Sequence, residues 1–115
     1  MTYKVFVVNA GGHNYSDAER FGEIVFCTHG AVDRFDINQM YRECAEAMKD
    51  AVEEDYILIT SLSSLCSIAR AIHAAKFKQL HLLLYRDGQY TAKSLMFNNS
   101  STKDSQLDFP ETSLR

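Results

Sequence analysis

The chain has 115 residues, of which 46% are hydrophobic and 23% are charged, and its formal net charge is -3. This length suits one domain with a core of its own. The small negative charge offers no basic stripe to neutralise phosphates, which argues against extended nucleic acid as a partner. The first residues show no apolar stretch with a cleavage site, and no apolar run reaches membrane-spanning length, so we expect a cytoplasmic protein that contacts no membrane.

The chain begins with a predicted strand and a short helix. Residues 3–8 are apolar almost throughout, which is typical of a strand covered on both faces. Ser16 and Glu19 fit a capping box, with a hydroxyl at the N-cap and a carboxylate three residues later. This pattern predicts a short helix over residues 17–21, with Gly22 as its left-handed end.

A second strand is predicted over residues 23–27, followed by a loop over residues 28–35. Asp36, with Gln39 three residues later, opens the clearest helix of the chain. Apolar residues recur at helical spacing along one predicted core face of this helix. They are Ile37, Tyr41, Cys44, Met48 and Ala51.

A third strand is predicted over residues 56–60, and a second long helix follows it and runs to about Ala75. Its N-cap is expected to be one of three serines, since hydroxyl side chains satisfy the first amides of a helix. The candidates are Ser61, Ser63 and Ser64.

The last predicted strands form a hairpin. Residues 80–85 are apolar, Asp87-Gly88 is a strong hairpin-turn signal, and residues 90–97 alternate well enough to return antiparallel. From residue 98 onward the composition becomes polar and loses its periodicity. We expect residues 1–97 to form a single domain and residues 98–115 a flexible tail.

Strands that alternate with helices predict an α/β fold with right-handed crossovers. We expect a small three-layer, Rossmann-like or flavodoxin-like sandwich, with a mostly parallel sheet of about five strands that ends in an antiparallel hairpin. The expected strand order is 2-1-3-4-5, which places the first and third strands centrally. This small sheet leaves apolar surface to cover, so we also expect a homodimer.

Three cysteines lie inside predicted elements, at Cys27, Cys44 and Cys66. No pair of them has the C-x-x-C spacing of zinc or thioredoxin-like sites. We therefore interpret them as buried small hydrophobes, which suits a reducing compartment, and we predict no metal site.

Unusual residues cluster after the strands, at the edge where open parallel sheets bind ligands. Gly11 and Gly12 follow the first strand and allow backbone amides to approach a phosphate, although a tight turn that needs positive φ is the simpler interpretation. A dense group of polar and aromatic residues surrounds them and is expected to meet the base or sugar of a ligand. It comprises Asn9, His13, Asn14 and Tyr15.

Hydroxyl residues follow the third strand and mark the start of the second long helix. Beyond helix capping, they are expected to hold a phosphate or carboxylate at the positive end of the helix dipole. They are Thr60, Ser61, Ser63 and Ser64. Arg34 has a planar guanidinium that suits the same anion and is expected to close over it.

Two histidines, His13 and His29, follow neighbouring predicted strands. With Asp17 or Asp33 nearby, either is a candidate general base or metal ligand, and the alternative is a surface or hydrogen-bonding histidine. No complete catalytic motif accompanies them.

The leading hypothesis is a small cytoplasmic domain that binds a nucleotide or another phosphorylated metabolite at the carboxyl edge of its sheet. It would serve as a sensor or sequestering protein, or as a small hydrolase or transferase. The alternative is a non-enzymatic accessory or inhibitory protein that acts through its surface and its tail, with Leu107 and Phe109 as anchors.

Overall fold

The computed structural model describes residues 3–11, 14–33, 35–60 and 62–97. This part of the chain has an α/β fold with one five-stranded mixed sheet and two α-helices. In chain order the elements are β1 (Lys4–Val7), a 3₁₀ helix (Ser16–Arg20), β2 (Glu23–Phe26), α1 (Ile37–Ala47), β3 (Tyr56–Leu58), α2 (Ser63–Phe77), β4 (Gln79–Arg86) and β5 (Gln89–Met96). The predictions for residues 98–115 lie outside the described residues.

The strand order is β2-β1-β3-β4-β5, as predicted. β1 pairs in parallel with β2 and β3, and β3 pairs in parallel with β4. β4 and β5 are antiparallel and join eight residue pairs, whereas the parallel pairings join four, three and three. The prediction of a mostly parallel sheet is therefore correct only in part, because the longest pairing is the antiparallel hairpin.

The hairpin turn forms where its sequence predicts it. Asp87 and Gly88 have φ of 53° and 85°, and positive values at both central residues define a type I′ turn. This turn matches the right-handed twist of the flanking strands, which is why two residues suffice to connect β4 to β5.

The two faces of the sheet are covered differently. Phe6 and Ile57 point to one face and pack against both α-helices. Val5 and Leu58 point to the other face and pack against Ala18 of the 3₁₀ helix, since successive strand residues alternate sides. The second face therefore carries a 3₁₀ helix of five residues in place of an α-helix.

Helix α1 begins as predicted, but its core face is rotated. Asp36 is the N-cap, and its carboxylate accepts the Gln39 amide at 3.1 Å. Met40 and Cys44 are buried, whereas Ile37 and Tyr41 are 50% and 53% exposed. The predicted core face is wrong at these last two positions, because the stripe that meets the sheet begins at Met40.

The short helix after β1 is not capped as predicted. Ser16 is its first residue, Tyr15 is its N-cap, and no side chain caps it. The Ser16 amide instead donates to the Asn14 carboxamide oxygen at 2.9 Å. Gly22 has no positive φ, so its predicted left-handed role is wrong. A Cβ there would lie 2.3 Å from the Tyr3 carbonyl oxygen, so a close backbone approach is what requires glycine.

The three cysteines, Cys27, Cys44 and Cys66, are buried and unpaired, in agreement with the prediction. They belong to the core on the side of the two α-helices. Within the described ranges, no helix combines the length and the apolar character needed to cross a membrane.

Candidate functional site

The carboxyl ends of β1 to β4 lie along one edge of the sheet, and three adjoining cavities open along this edge. The central cavity, of about 240 Å³, is lined by Asn9, Gly30, Val32, Met40, Leu62, Ser63, Ser64 and Leu65. The histidine cavity, of about 100 Å³, is lined by His29, Ala31, Val32, Asp33, Asp36, Gln39, Met40 and Glu43. The tyrosine groove, of about 920 Å³, is lined by Asn9, Gly11, Asn14, Tyr15, Leu58, Ile59, Thr60, Leu62, Tyr85 and Tyr90.

These cavities are neighbours that share walls. Val32 and Met40 line both the histidine cavity and the central cavity. Asn9 and Leu62 line both the central cavity and the tyrosine groove. The carboxyl edge therefore carries one extended depression that runs from the start of α1, past the start of α2, to the hairpin.

Helix α2 begins at the central cavity without a side-chain cap. Its N-cap is Leu62, which has no polar side-chain atom, while Ser63 and Ser64 are its first two residues. The prediction that Ser63 or Ser64 caps the helix is therefore wrong, because both already lie inside it. The first amides of an α-helix have no partner within the helix and carry its positive dipole end. The cavity is thus bordered by two hydroxyls and an electropositive helix terminus.

Asn9 forms a wall of this cavity and also holds two strand ends together. Its side-chain amide donates to the Thr28 hydroxyl at 2.8 Å and to the Gly30 carbonyl oxygen at 2.9 Å. The Thr28 hydroxyl in turn donates to the Val8 carbonyl oxygen at 2.6 Å. Both N–H donors of the Asn9 amide are therefore engaged by the fold, which fixes the segments after β1 and β2 relative to each other.

Thr60 shapes the turn that leads from β3 into α2. Its hydroxyl accepts the Leu62 amide at 3.2 Å, and its own amide donates to the Cys66 sulfur at 3.4 Å. Thr60 lines the tyrosine groove and is absent from the lining of the central cavity. Thr60 and the two serines Ser63 and Ser64 thus line different cavities.

His29 lies in the histidine cavity, with its ring edge-on to Phe26 at a centroid distance of 6.1 Å. Asp33 lines the same cavity, as the hypothesis of a histidine–carboxylate pair requires. Its carboxylate accepts the Phe35 amide at 3.0 Å, and that of Asp36 caps α1. Both carboxylates therefore stabilise local turns. Among the described residues, no group of three or more His, Cys, Asp or Glu is arranged to hold a metal ion.

The tyrosine groove receives aromatic side chains from both the 3₁₀ region and the hairpin. The Tyr85 and Tyr90 rings meet edge-to-face at 5.2 Å between centroids, and Tyr15 contacts Phe26 at 6.1 Å. Burial raises the pKa of Tyr15 and of Tyr90 above the ordinary value.

The sequence analysis did not include Tyr85 and Tyr90 in the site. They face each other across the hairpin, next to the Arg86–Gln89 pair that flanks its two-residue turn. The sequence contains a signal for them, namely the predicted hairpin turn after β4. A turn at that point places the residues on both of its sides at the carboxyl edge of the sheet.

A protein-family model described as "Phage Pam3 gp32-like protein" matches residues 3–99. The chain belongs to this family. The match covers the described fold from β1 to β5, including the residues that line all three cavities. No curated protein and no solved structure matches the chain.

In this member of the phage Pam3 gp32-like family, the predicted site residues that the structure describes line one or more of the three cavities. Asn9, Ser63 and Ser64 line the central cavity. Asn9 also lines the tyrosine groove, together with Gly11, Asn14, Tyr15 and Thr60, whereas His29 lines the histidine cavity. Gly12, His13, Arg34 and Ser61 lie outside the described residues.

Proposed function

We propose that this protein binds a small phosphorylated ligand at the carboxyl edge of its sheet, with the anionic group in the central cavity. The observation that carries the proposal is the start of α2 at this cavity, without a side-chain cap and with Ser63 and Ser64 in its lining. In this function the protein senses or sequesters its ligand.

The position of the cavity within the strand order supports the proposal. From β1 the chain moves to β2 in one direction, and β3 and β4 follow on the other side of β1. In open α/β sheets such a reversal leaves a crevice at the carboxyl ends of the strands, where ligands bind. Flavodoxin-like folds share the order 2-1-3-4-5, and we include in the proposal that this chain is a reduced form of that architecture.

The chemistry at the start of α2 suits an anion. A helix of 15 residues has a developed dipole, and its first amides point toward its N-terminal end. The hydroxyls of Ser63 and Ser64 add donors that can rotate to meet an oxygen atom. Because Leu62 offers no competing acceptor, a phosphate would supply the oxygens that a capping side chain supplies in other helices.

The size of the central cavity limits what it can hold. At about 240 Å³ it is smaller than the roughly 300–1,000 Å³ that is typical of whole small-molecule sites. It therefore suits the phosphate end of a ligand better than a complete nucleotide. His29 in the adjoining cavity is the general base we would assign if the ligand is also hydrolysed or transferred.

Isothermal titration calorimetry with inorganic phosphate and with ribose 5-phosphate tests the proposal. We expect both to bind the full-length protein. Ser63→Ala combined with Ser64→Ala should weaken binding by about ten- to a hundredfold, since one charge-assisted hydrogen bond contributes roughly 1.5–3 kcal/mol. Ser67→Ala is the matched control, because this exposed serine lies on the same helix outside the cavity lining. Absence of heat with both probes would contradict the proposal.

A second candidate function, self-association as an accessory protein, is favoured by the sheet edge at β5. Leu95, Met96 and Phe97 are exposed there, at 45%, 65% and 43%. Pairing with β5 of a second copy would cover this edge, and an uncovered apolar edge is a general liability for sheet proteins. Light scattering at micromolar concentration decides between a homodimer and the 13.1 kDa monomer. The predicted anchors Leu107 and Phe109 lie outside the described residues.

A further inference from the structure

We propose that the tyrosine groove holds the planar ring of the same ligand, so that the ligand is a nucleotide rather than a sugar phosphate. This inference rests on the proposed function, because it extends the anion site into a second compartment. It assigns ring-contacting roles to Tyr85 and Tyr90, and it makes them determinants of specificity.

Three tyrosines from separate parts of the fold converge on the groove. Tyr15 precedes the 3₁₀ helix, Tyr85 is the penultimate residue of β4, and Tyr90 is the second residue of β5. Tyr85 is 62% exposed although its ring contacts Tyr90 at 5.2 Å. A large aromatic surface is thus held in place at the mouth of the groove and remains open to a ligand, and aromatic faces of this kind stack on nucleobases.

The rest of the groove has the composition expected for a ring site. Leu58, Ile59 and Leu62 supply apolar walls. Asn14 lies at the rim, and its carboxamide oxygen accepts the Ser16 amide at 2.9 Å, which fixes the orientation of the side chain. Ligand sites typically combine such apolar linings with a few oriented polar groups.

The groove adjoins the proposed anion site directly. Asn9 and Leu62 line both cavities, so one molecule can place its phosphate at the first turn of α2 and its ring against the tyrosines. The volumes agree with this division, since the groove of about 920 Å³ has room for a base and sugar and the central cavity of about 240 Å³ does not.

Calorimetry on the full-length protein tests this inference by comparing ribose 5-phosphate with the four ribonucleoside 5′-monophosphates. We expect at least one nucleotide to bind about 5- to 150-fold more tightly than ribose 5-phosphate, the range that stacking of one base provides. Tyr85→Ala should remove this advantage and leave the affinity for ribose 5-phosphate unchanged. Tyr85→Phe should preserve the advantage, because it keeps the ring.

Tyr41→Ala is the matched control, since Tyr41 is an exposed tyrosine of α1 outside the groove lining. The inference is overturned if ribose 5-phosphate binds and no nucleotide binds better, an outcome that leaves the proposed function intact. It is also overturned if Tyr85→Ala changes the mass measured by light scattering instead of the nucleotide affinity, because the groove would then be a protein-binding surface.

The corresponding ribonucleosides separate the two proposals. Binding of a nucleoside that depends on Tyr85, without any binding of phosphate or ribose 5-phosphate, supports the ring site and contradicts the anion site. Circular dichroism of each variant shows whether it is folded, and the exposure of Tyr85 leads us to expect that both of its variants are.

Discussion

The two edges of the sheet use their polar residues in different ways. At the amino edge, the polar groups hold the fold together: the buried Asp55 carboxylate accepts the Lys4 amide at 2.9 Å and the Val52 amide at 2.8 Å. The Glu53 carbonyl oxygen lies 3.3 Å from the His73 Nε2 atom, and His81 contacts the Ser94 hydroxyl at 2.7 Å. These contacts join β1 and α2 to the segment before β3, and β4 to β5.

At the carboxyl edge, side chains that hold the fold together lie next to side chains that line cavities. Asn9 and Thr28 are buried and hydrogen-bonded to each other, and they hold the ends of β1 and β2 together. Ser63, Ser64 and Tyr85 instead border cavities. The comparison teaches that polar composition alone does not mark a site. What distinguishes the carboxyl edge is that Ser63, Ser64 and Tyr85 line cavities there.

The largest effect is expected for Asp55→Ala at the amino edge. This change leaves the backbone amides of Lys4 and Val52 without their acceptor, and hydrogen bonds to a charged group contribute roughly 1.5–3 kcal/mol each. We expect the free energy of unfolding, measured in urea, to fall by about 3 kcal/mol. Glu54→Ala is the control, because that neighbouring side chain is exposed. A loss below about 1 kcal/mol would show that the amino edge does not depend on this carboxylate.

His73 should make the stability depend on pH. Burial lowers its pKa below the ordinary value of about 6.5, and among the described residues its Nδ1 atom has no hydrogen-bond partner. Asp55, His81 and Lys76 are the charged or titratable groups that influence it. The unfolded chain therefore binds a proton more readily than the folded one, so the stabilising contribution is complete above about pH 6.5 and declines as the pH falls.

Urea unfolding between pH 7.5 and pH 5 measures this decline, which is at most about 1.4 kcal/mol per pH unit for one proton. His73→Leu should flatten the dependence, whereas Ser67→Ala, at an exposed position of the same helix, should preserve it. An unchanged slope in His73→Leu would assign the pH dependence to other groups.

Much of the fold follows from local signals and burial. The central position of β1 was predictable because residues 5–8 are apolar without interruption, which is typical of a strand covered on both faces. The Asp87-Gly88 turn was predictable because few sequences tolerate positive φ at two successive positions. Both predictions depend on a few adjacent residues and not on contacts between distant parts of the chain.

The features that could not be predicted from the sequence depend on how the helices and strands pack against one another. Tyr41 has the same helical spacing as a core residue, and only the packing of α1 on the sheet decides that it faces solvent. Ser63 and Ser64 fit the composition of an N-cap, but capping requires a residue just outside the helix, and that residue is Leu62. Tyr85 and Tyr90 were interpreted only as strand residues, since their shared groove exists only once the hairpin is placed beside the 3₁₀ helix.

The smallest effect is expected for a substitution at the start of α2, which tests the difference between the two edges. Leu62→Asp places a carboxylate at the N-cap, where it can accept an amide of the first turn and interact favourably with the helix dipole. We expect this variant to be about 1 kcal/mol more stable than Leu62→Ala, the control that removes the side chain without adding a cap. If the same amides hold a phosphate, the new carboxylate also occupies and repels the anion site, so calorimetry should show at least about tenfold weaker binding of ribose 5-phosphate to Leu62→Asp than to Leu62→Ala. Greater stability together with unchanged phosphate affinity would show that the start of α2 is simply an uncapped helix, and the carboxyl edge would then lose the group that sets it apart from the amino edge.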